Sequence, residues 1–305
     1  MPTISCRRKY PHPRYECVCV TCFYVSQNQV AKMTRFTNKM ILLLFSLFFI
    51  LLLVFIGLNL LDATVSKRSL LAQSSLFTAL TAPLNAATHI STPTWLKKDL
   101  AHSGILKPTA QLFPHLNLLR ENFDAIRDEA LASLDKSGKI MNDMYFQGIA
   151  DEGWKRLYIK WHGPIDPLAK KECPFTCSLI EKMPEVSVAM FSILMPGSKI
   201  LPHHGPAKMC LRYHLGLSTP NDPKCSITLN GEKYSWKDGE DVMFDDTLMH
   251  EVHNNTDKKR IILFLDVERP QEGILRGVSK WAMKKFGPMT SRSNDVQEKV
   301  LNNIT

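Results

Sequence analysis

The stretch CSITLNGEKYSW, residues 225–236, carries the clearest fold signal in the chain. Two short segments with strand-like composition flank Asn230-Gly231, a dipeptide that is favoured at the two central positions of a tight β-hairpin turn. The stretch therefore predicts two antiparallel strands, Cys225–Leu229 and Glu232–Trp236.

Similar short segments lie on both sides of this hairpin and end at turn residues such as Pro196-Gly197. Short strands at this spacing indicate an antiparallel sandwich or a jelly roll. The other predicted strands are Trp154–Trp161, Val186–Leu194, Met209–Leu217, Asp241–Phe244, Glu251–Asn254 and Arg260–Val267. Helical spacing of apolar residues predicts helices over Leu116–Leu134, Cys173–Met183 and Glu272–Phe286.

The composition is that of a folded protein whose charge is concentrated at the N-terminus. Of its 305 residues 45% are hydrophobic, and eight cysteines are too few for a disulfide scaffold. Residues 1–39 carry +6 of the formal net charge of +9, which argues against a nucleic-acid-binding body. We predict that these residues form a disordered basic leader, whose cysteines (Cys6, Cys17, Cys19 and Cys22) lack the paired spacing of a zinc site.

Residues 40–61, MILLLFSLFFILLLVFIGLNLL, contain no charged side chain. A helix of this length crosses the ~30 Å hydrocarbon core of a bilayer, so we predict a single transmembrane anchor. Seven basic residues before the span would hold the N-terminus in the cytoplasm, whereas a start at Met40 leaves only Lys67 and Arg68 beside it. The side of the membrane that holds the body therefore depends on the starting methionine.

The remaining chain divides into three predicted regions. Residues 62–110 are rich in serine, threonine and alanine, and we expect a juxtamembrane linker with short helical pieces. Residues 111–270 form the predicted globular domain. Residues 271–305 form a basic C-terminal helix and tail, which would either cover the core or bind a membrane surface.

Five side chains break the apolar pattern of the predicted strands. Arg212 and His214 lie two residues apart and therefore point to the same face of one strand. Arg260 begins an otherwise apolar strand, where a charge is costly unless it is paired or binds an anion. His203 and His250 lie 47 residues apart at the edges of predicted strands.

These residue types suit a mononuclear iron oxygenase that uses 2-oxoglutarate. Two neutral imidazoles can hold Fe(II) and leave positions open for the co-substrate and O2. The planar guanidinium of Arg260 matches a carboxylate with two hydrogen bonds, as the far carboxylate of 2-oxoglutarate requires. Arg260 follows His250 by ten residues, so a hairpin would return it to the same end of a barrel.

Three ordered blocks, PHHGPAKMCLRYHLGL, GEDVMFDDTLMHEV and RIILFLDVERP, resemble the aspartyl/asparaginyl β-hydroxylase family over about residues 140–270. Within that family the chain is most similar to the membrane-bound bacterial lipid A 2-hydroxylases. The resemblance implies a double-stranded β-helix (jelly roll, cupin-like) with flanking helices, preceded by one transmembrane helix in a bacterial inner membrane. It also implies Fe(II) as cofactor, with 2-oxoglutarate and O2 as co-substrates.

The resemblance also assigns roles to particular residues. It implies that His203 and His250 hold the iron and that Arg260 binds the C5 carboxylate of 2-oxoglutarate. The positions that match the lining of the co-substrate site are Ser192, Arg212 and His214.

The usual iron triad has a carboxylate two residues after its first histidine, but this chain has Gly205 there. The family resembled is similar in lacking that carboxylate. Asp246, four residues before His250, can fill the catalytic role directly or through a water molecule, and we expect the water-mediated role. His204 is an alternative ligand.

Three functions remain open from the sequence. The first is hydroxylation of an acyl chain of lipid A or a similar membrane lipid, with the lipid bilayer as a partner. The second is β-hydroxylation of aspartate or asparagine in a protein substrate, which requires a body outside the cytoplasm. The third is a jelly-roll binding module without catalysis. None of the three involves nucleic acid.

Overall fold

A computed structural model of the protein describes residues 82, 84–107, 113–135, 150, 153–205, 207–273 and 275–286. The predicted leader, the predicted anchor and the four N-terminal cysteines lie outside these ranges. No helix within the described ranges is both long enough and apolar enough to cross a membrane.

Two antiparallel β-sheets form the body. The six-stranded sheet has the order β1-β8-β5-β10-β3-β2, and the four-stranded sheet has the order β4-β9-β6-β7. Apart from the β6–β7 hairpin, successive strands from β3 to β10 alternate between the two sheets, which is the path of a double-stranded β-helix. The strands are β1 Ile105–Leu106, β2 Trp154–Trp161, β3 Val186–Leu194, β4 Lys199–His203, β5 Cys210–Ser218, β6 Cys225–Leu229, β7 Glu232–Ser235, β8 Asp241–Phe244, β9 His250–Asn254 and β10 Arg260–Glu268.

The larger sheet is buried on both faces, which explains why its strands are apolar almost throughout. One face packs against the four-stranded sheet, with Met190 of β3 and Phe264 of β10 in the same cluster as Val252 of β9. The opposite face packs against helices, with Phe191 and Leu263 in that second cluster. Because side chains alternate along a strand, every second residue of β3, β5 and β10 points between the two sheets.

Helices flank the sheets before β2, between β2 and β3 and after β10. Residues 84–91 are helical, and Pro114–Leu116 forms a 3-10 turn. The α-helices with bounds at both ends are α1 Thr94–Ala101, α2 Asn117–Glu121, α3 Phe123–Asp135, α4 Pro167–Glu172, α5 Pro174–Glu181 and α6 Leu275–Phe286.

The predicted mainly β architecture is confirmed, and the differences are local. The single helix predicted over Leu116–Leu134 is broken at Asn122, whose side-chain amide donates to the carbonyl of Leu118 (2.8 Å) and competes with the helical pattern. Helix α4 was not predicted, although Asp166 caps it by accepting from the backbone amides of Leu168 and Ala169.

Residues 84–107, within the predicted linker, contain the expected short helical pieces and also pack into the body. Leu96 and Leu100 of α1 are buried in the core. Strand β1 adds to the edge of the larger sheet by pairing Ile105 with Phe244 of β8. This part of the chain therefore contributes to the core as well as connecting regions.

Gly216 of β5 lies against the backbone of the β7–β8 connection. A Cβ atom at this position would come within 2.1 Å of the Lys237 carbonyl oxygen. We expect Gly216→Ala to lower the free energy of unfolding by about 1–3 kcal/mol, because backbone must move to admit the methyl group. Urea denaturation followed by tryptophan fluorescence measures the change.

Gly277→Ala is the matched control, since a Cβ atom there meets no described atom within 4 Å. In the interior of α6 this substitution should raise stability by up to about 1 kcal/mol. Equal stability of both variants would contradict the proposed close approach at Gly216.

Candidate metal and co-substrate site

His203 and His250 lie opposite each other on neighbouring strands of the smaller sheet. His203 ends β4 and His250 begins β9, and the two residues are register partners. Their ring centroids are 4.2 Å apart. The fold thus brings together two imidazoles that are 47 residues apart in the sequence.

A backbone carbonyl fixes the tautomer of each ring. His203 Nδ1 donates to the carbonyl of Leu201, and His250 Nδ1 donates to the carbonyl of Leu248, both at 2.8 Å. A carbonyl oxygen can only accept, so the proton is on Nδ1 and the lone pair is on Nε2. Metal-binding histidines in proteins are commonly held in this way.

Both rings are neutral at physiological pH. Burial lowers the pKa of His203 below its usual value. Burial and the neighbouring His203 together lower the pKa of His250 to about 3. Neutral imidazole is the form that binds a divalent cation.

Asp246 occupies the space that a side chain at Gly205 would need. A Cβ atom on Gly205 would lie 2.0 Å from Asp246 Oδ2, and the Gly205 amide donates to the Asp246 carbonyl (2.7 Å). Asp246 Oδ1 is buried and has no hydrogen-bond partner among the described residues. A carboxylate from the β8–β9 loop therefore fills the position two residues after His203.

Arg212 of β5 joins two carboxylates. Its guanidinium contacts Asp246 Oδ2 at 2.9 Å and Asp266 Oδ1 at 3.0 Å, and it lies over the Phe264 ring. Burial would lower the pKa of Arg212, but the two carboxylates outweigh it and raise the pKa. Burial raises the pKa of Asp246 to about 6, although Arg212 opposes the shift.

Arg260 is a buried cation that pairs with no carboxylate among the described residues. Only 1% of it is exposed, and it donates to the Ser192 hydroxyl at 3.2 Å. Its guanidinium carbon lies 4.6 Å from the ring centroid of Trp236. Burial lowers the pKa of Arg260 to about 10. A guanidinium in this state suits a ligand that brings an anionic group.

His214 lies among the aromatic rings of Trp236, Phe244 and Phe264. Its Nδ1 accepts from the Trp236 indole at 3.3 Å, while Nε2 is buried without a partner among the described residues. Its ring centroid is 5.0 Å from that of Phe244 and 5.1 Å from that of Phe264. Burial, followed by the charges of Arg260 and Arg212, lowers the pKa of His214 well below its usual value.

A chain of side-chain contacts joins the histidine pair to Arg260. Phe244 contacts both His250 (6.1 Å between centroids) and His214. Trp236 then contacts both His214 and Arg260. The predicted residues His203, His250, His214 and Arg260 are therefore linked by one chain of side-chain contacts. His204 is the exception, since it is exposed and donates to the Thr247 carbonyl.

Several residues of this region escaped prediction. Trp236 lies directly after β7, in the connection to β8. Trp154, which donates to the Ser192 hydroxyl (2.9 Å), comes from β2. Arg156 is also buried, with its guanidinium over the Trp154 ring at 3.9 Å. The sequence did contain one usable signal for Asp266, because an acid within an apolar strand needs a cationic partner.

Across the described part of the chain, no group of three or more His, Cys, Asp or Glu side chains is arranged to hold a metal ion. The donor set here consists of two imidazoles, with the Asp246 carboxylate held by Arg212. The fold and this site together define a jelly roll with a histidine pair and a buried guanidinium in its interior.

Residues 120–270, about half of the chain, match the family model for aspartyl/asparaginyl β-hydroxylases. The chain belongs to that family through this segment, which confirms the resemblance found in the sequence.

Two relatives are each 32% identical to the chain. One is the ornithine lipid ester-linked acyl 2-hydroxylase of Rhizobium tropici, aligned over 58% of this chain and 65% of that protein. The other is the human aspartyl/asparaginyl β-hydroxylase, aligned over 59% of this chain and 23% of that protein. The chain therefore spans less than two thirds of the length of each. A prolyl hydroxylase structure from Trichoplax adhaerens superposes with a TM-score of 0.41 at 14% identity, covering 72% of this chain and 99% of that one.

The different pairing of the two arginines gives a test of their energetics. Arg212→Met leaves Asp246 and Asp266 without their cation, so the free energy of unfolding should fall by about 3–5 kcal/mol. Arg260→Met removes a buried charge that lacks a carboxylate partner, so stability should stay within about 1 kcal/mol of the parent or rise. Urea denaturation of the metal-free protein measures both values.

Each variant is the control for the other, since both replace a buried arginine by methionine. A loss in Arg260→Met as large as that in Arg212→Met would show that Arg260 is already compensated within the protein.

Proposed function

We propose that the protein is a membrane-anchored Fe(II)- and 2-oxoglutarate-dependent dioxygenase that hydroxylates an acyl chain of lipid A or a similar membrane lipid. One observation carries the proposal. Two neutral imidazoles, both with Nε2 available, are connected through His214 and its aromatic neighbours to a buried guanidinium with no carboxylate partner among the described residues.

His203 and His250 would hold the iron through Nε2. When bound, the iron would supply the activation of O2, with 2-oxoglutarate as the reductant. One oxygen atom enters a substrate C–H bond, and 2-oxoglutarate is converted to succinate and CO2. Two protein ligands would leave more positions open than a complete triad does. Both the keto-acid end of 2-oxoglutarate and O2 would then have room at the metal.

Arg260 and Ser192 would bind the far carboxylate of 2-oxoglutarate. The guanidinium offers its donors in a fixed fork, and the Ser192 hydroxyl already accepts from Trp154 and Arg260. Burial strengthens this ion pair, since little water competes with it. Trp236 and Phe264 exclude water around the neighbouring His214.

Asp246 would act on a water molecule beside the metal. Arg212 holds its Oδ2, and the partnerless Oδ1 is the atom that can accept a hydrogen bond from such a water. A carboxylate placed in this way orients a ligand without taking a coordination position.

Three features support a lipid as the substrate. Leu201 and Met249 are 42% and 46% exposed and lie two residues before His203 and one residue before His250. Exposed apolar side chains beside the proposed metal ligands suit an acyl chain. The relative from Rhizobium is named for hydroxylation of a lipid acyl chain, and the predicted anchor would keep the body near lipid.

Hydroxylation of a protein aspartate or asparagine is the second candidate, because the human relative is named for that reaction at the same identity. This alternative requires a substrate with a polar side chain at the metal.

We expect lipids from cells that express the protein to gain one oxygen atom on an acyl chain, and we expect His203→Ala to abolish the gain. The substitution removes a proposed iron ligand, so succinate formation from 2-oxoglutarate should also fall to background. Mass spectrometry of extracted lipids and a succinate assay measure the two outcomes.

His253→Ala is the matched control, because His253 lies on β9, the strand of the other proposed ligand His250, and pairs with Glu251 at 3.3 Å. It should leave both signals intact. Succinate formation that depends on an aspartate-containing peptide and not on lipid would favour the second candidate. A protein that neither binds Fe(II) nor forms succinate would point to a binding module without catalysis.

Asp246→Asn should weaken Fe(II) binding about 10- to 100-fold, the usual effect of losing a partner that orients a metal ligand. Anaerobic titration with Fe(II) measures the dissociation constant directly. Asp245→Asn serves as the control, since Asp245 is equally buried but pairs with Arg269 at 2.7 Å. Equal Fe(II) affinities in the two variants would show that Asp246 does not orient a ligand of the metal.

A further inference from the structure

The helical segment 84–91, helix α1 and helix α6 together form one outer surface of the body. Segment 84–91 runs antiparallel to α6, since the Thr88 and Ser279 hydroxyls are 3.3 Å apart and the Ser91 carbonyl accepts from the Glu272 amide. Helix α1 adjoins the segment through Lys97, whose ammonium donates to the Ile90 carbonyl at 3.2 Å.

Large hydrophobic side chains are exposed on this surface. Six such side chains are exposed among the described residues, and half of them lie here: Ile90 at 70%, Trp95 at 40% and Trp281 at 48%. The clustering matters because single exposed apolar residues are ordinary on proteins, whereas a group with aromatic members marks a contact surface.

The same elements carry an excess of positive charge. Helix α6 has four basic residues and no acidic one, and α1 adds Lys97 and Lys98. Nearby acids are fewer, namely Asp99, Glu268 and Glu272. Glu268 forms ion pairs with both Arg276 (3.8 Å) and Lys280 (3.3 Å), so one carboxylate is shared by two cations. A positively charged surface with exposed tryptophan has the chemistry of an interfacial membrane contact.

Chain connectivity favours the same partner. In the sequence, only residues 62–83 separate the predicted anchor, which ends at Leu61, from segment 84–91. Among the elements of the body, this segment is therefore the one nearest to the predicted anchor along the chain.

The surface also connects to the loop after His203. Asn85 of segment 84–91 accepts from the Lys208 backbone amide at 2.8 Å, and Lys208 pairs with Asp245, the neighbour of Asp246. A contact with lipid at segment 84–91 would thus lie on the side of the body that supports the proposed metal site.

We propose that this surface docks on a bilayer containing anionic lipid, with Trp95, Trp281 and Ile90 in the interface and Arg276, Lys280 and Lys97 at the lipid headgroups. The inference rests on the proposed function for its lipid substrate, but its mechanism is a separate one, namely the orientation of the body on the membrane.

Tryptophan fluorescence tests the docking directly, because all five tryptophans of the chain lie in the body and none in the predicted anchor. The full chain is reconstituted in bilayers of brominated phosphatidylglycerol and phosphatidylcholine, without iron or 2-oxoglutarate. We expect bromine to quench the emission in anionic bilayers, and Trp281→Phe to remove about half of the quenching. Bilayers of brominated phosphatidylcholine alone should quench much less.

Charge variants give the matched comparison. Arg276→Gln with Lys280→Gln should lower the ratio of docked to undocked bodies by up to about 30-fold, at roughly 1 kcal/mol for each basic residue. Lys224→Gln with Lys233→Gln removes the same charge from exposed positions in and beside the smaller sheet and should leave the quenching unchanged.

Quenching that is equal in anionic and neutral bilayers, or unchanged in Trp281→Phe, would overturn the proposal. A second measurement uses acrylamide quenching of Trp281 in lipid-free detergent. If the protection of Trp281 rises with protein concentration, a second copy of the chain covers the surface and the proposal is overturned. Lipid hydroxylation is measured separately, so a failure of docking and a failure of the proposed reaction give different results.

Discussion

The pairing of β4 with β9 is the constraint on which the proposed metal site depends. Ile200 pairs with Val252, but His203 pairs with His250, so β4 has one residue more than β9 between the two pairs. Without this bulge His203 would lie one position out of register and point to the opposite face of the sheet. The bulge falls at Leu201-Pro202, where proline lacks the amide that a regular ladder requires. The extra residue in β4 thus places the side chain of His203 on the same face of the sheet as that of His250.

The two arginines of the interior differ in how far the protein itself compensates their charge. Arg212 has two carboxylates, an aromatic ring beneath it and a raised pKa, so the protein alone satisfies its charge. Arg260 has a hydroxyl and an aromatic ring, and its pKa is lowered by burial. A buried cation without a carboxylate partner, such as Arg260, lowers the stability of the protein unless an anionic ligand pairs with it. If Arg260 binds an anionic co-substrate, as proposed, the carboxylate pairs of Arg212 can stay in place while it does so.

Short segments bounded by turn residues were the most reliable guide from sequence to structure. They predicted Cys225–Leu229 and Asp241–Phe244 with their observed bounds. Strand alternation predicted Trp154–Trp161 with its observed bounds and placed Arg212 and His214 on one face. Strand β4 was missed because Pro202 and the bulge interrupt its alternation. Trp236 could not be predicted as a neighbour of His214 and Arg260. It reaches them from the connection between β7 and β8, and contacts between a loop and distant strands leave no periodic pattern in the sequence.

The absence of a carboxylate at Gly205 follows from how tightly the interior is packed there. Asp246 already fills the volume beside the Gly205 backbone, so no side chain fits at position 205 unless Asp246 moves. Asp246 cannot move freely, because Arg212 holds it and is held in turn by Asp266 of β10. The carboxylate is therefore positioned by the larger sheet, while the histidines are positioned by the smaller one. If these histidines hold a divalent metal, two neutral ligands leave its full charge to attract the 2-oxoglutarate dianion. A directly bound aspartate would cancel part of that charge, whereas an aspartate paired with arginine cancels less.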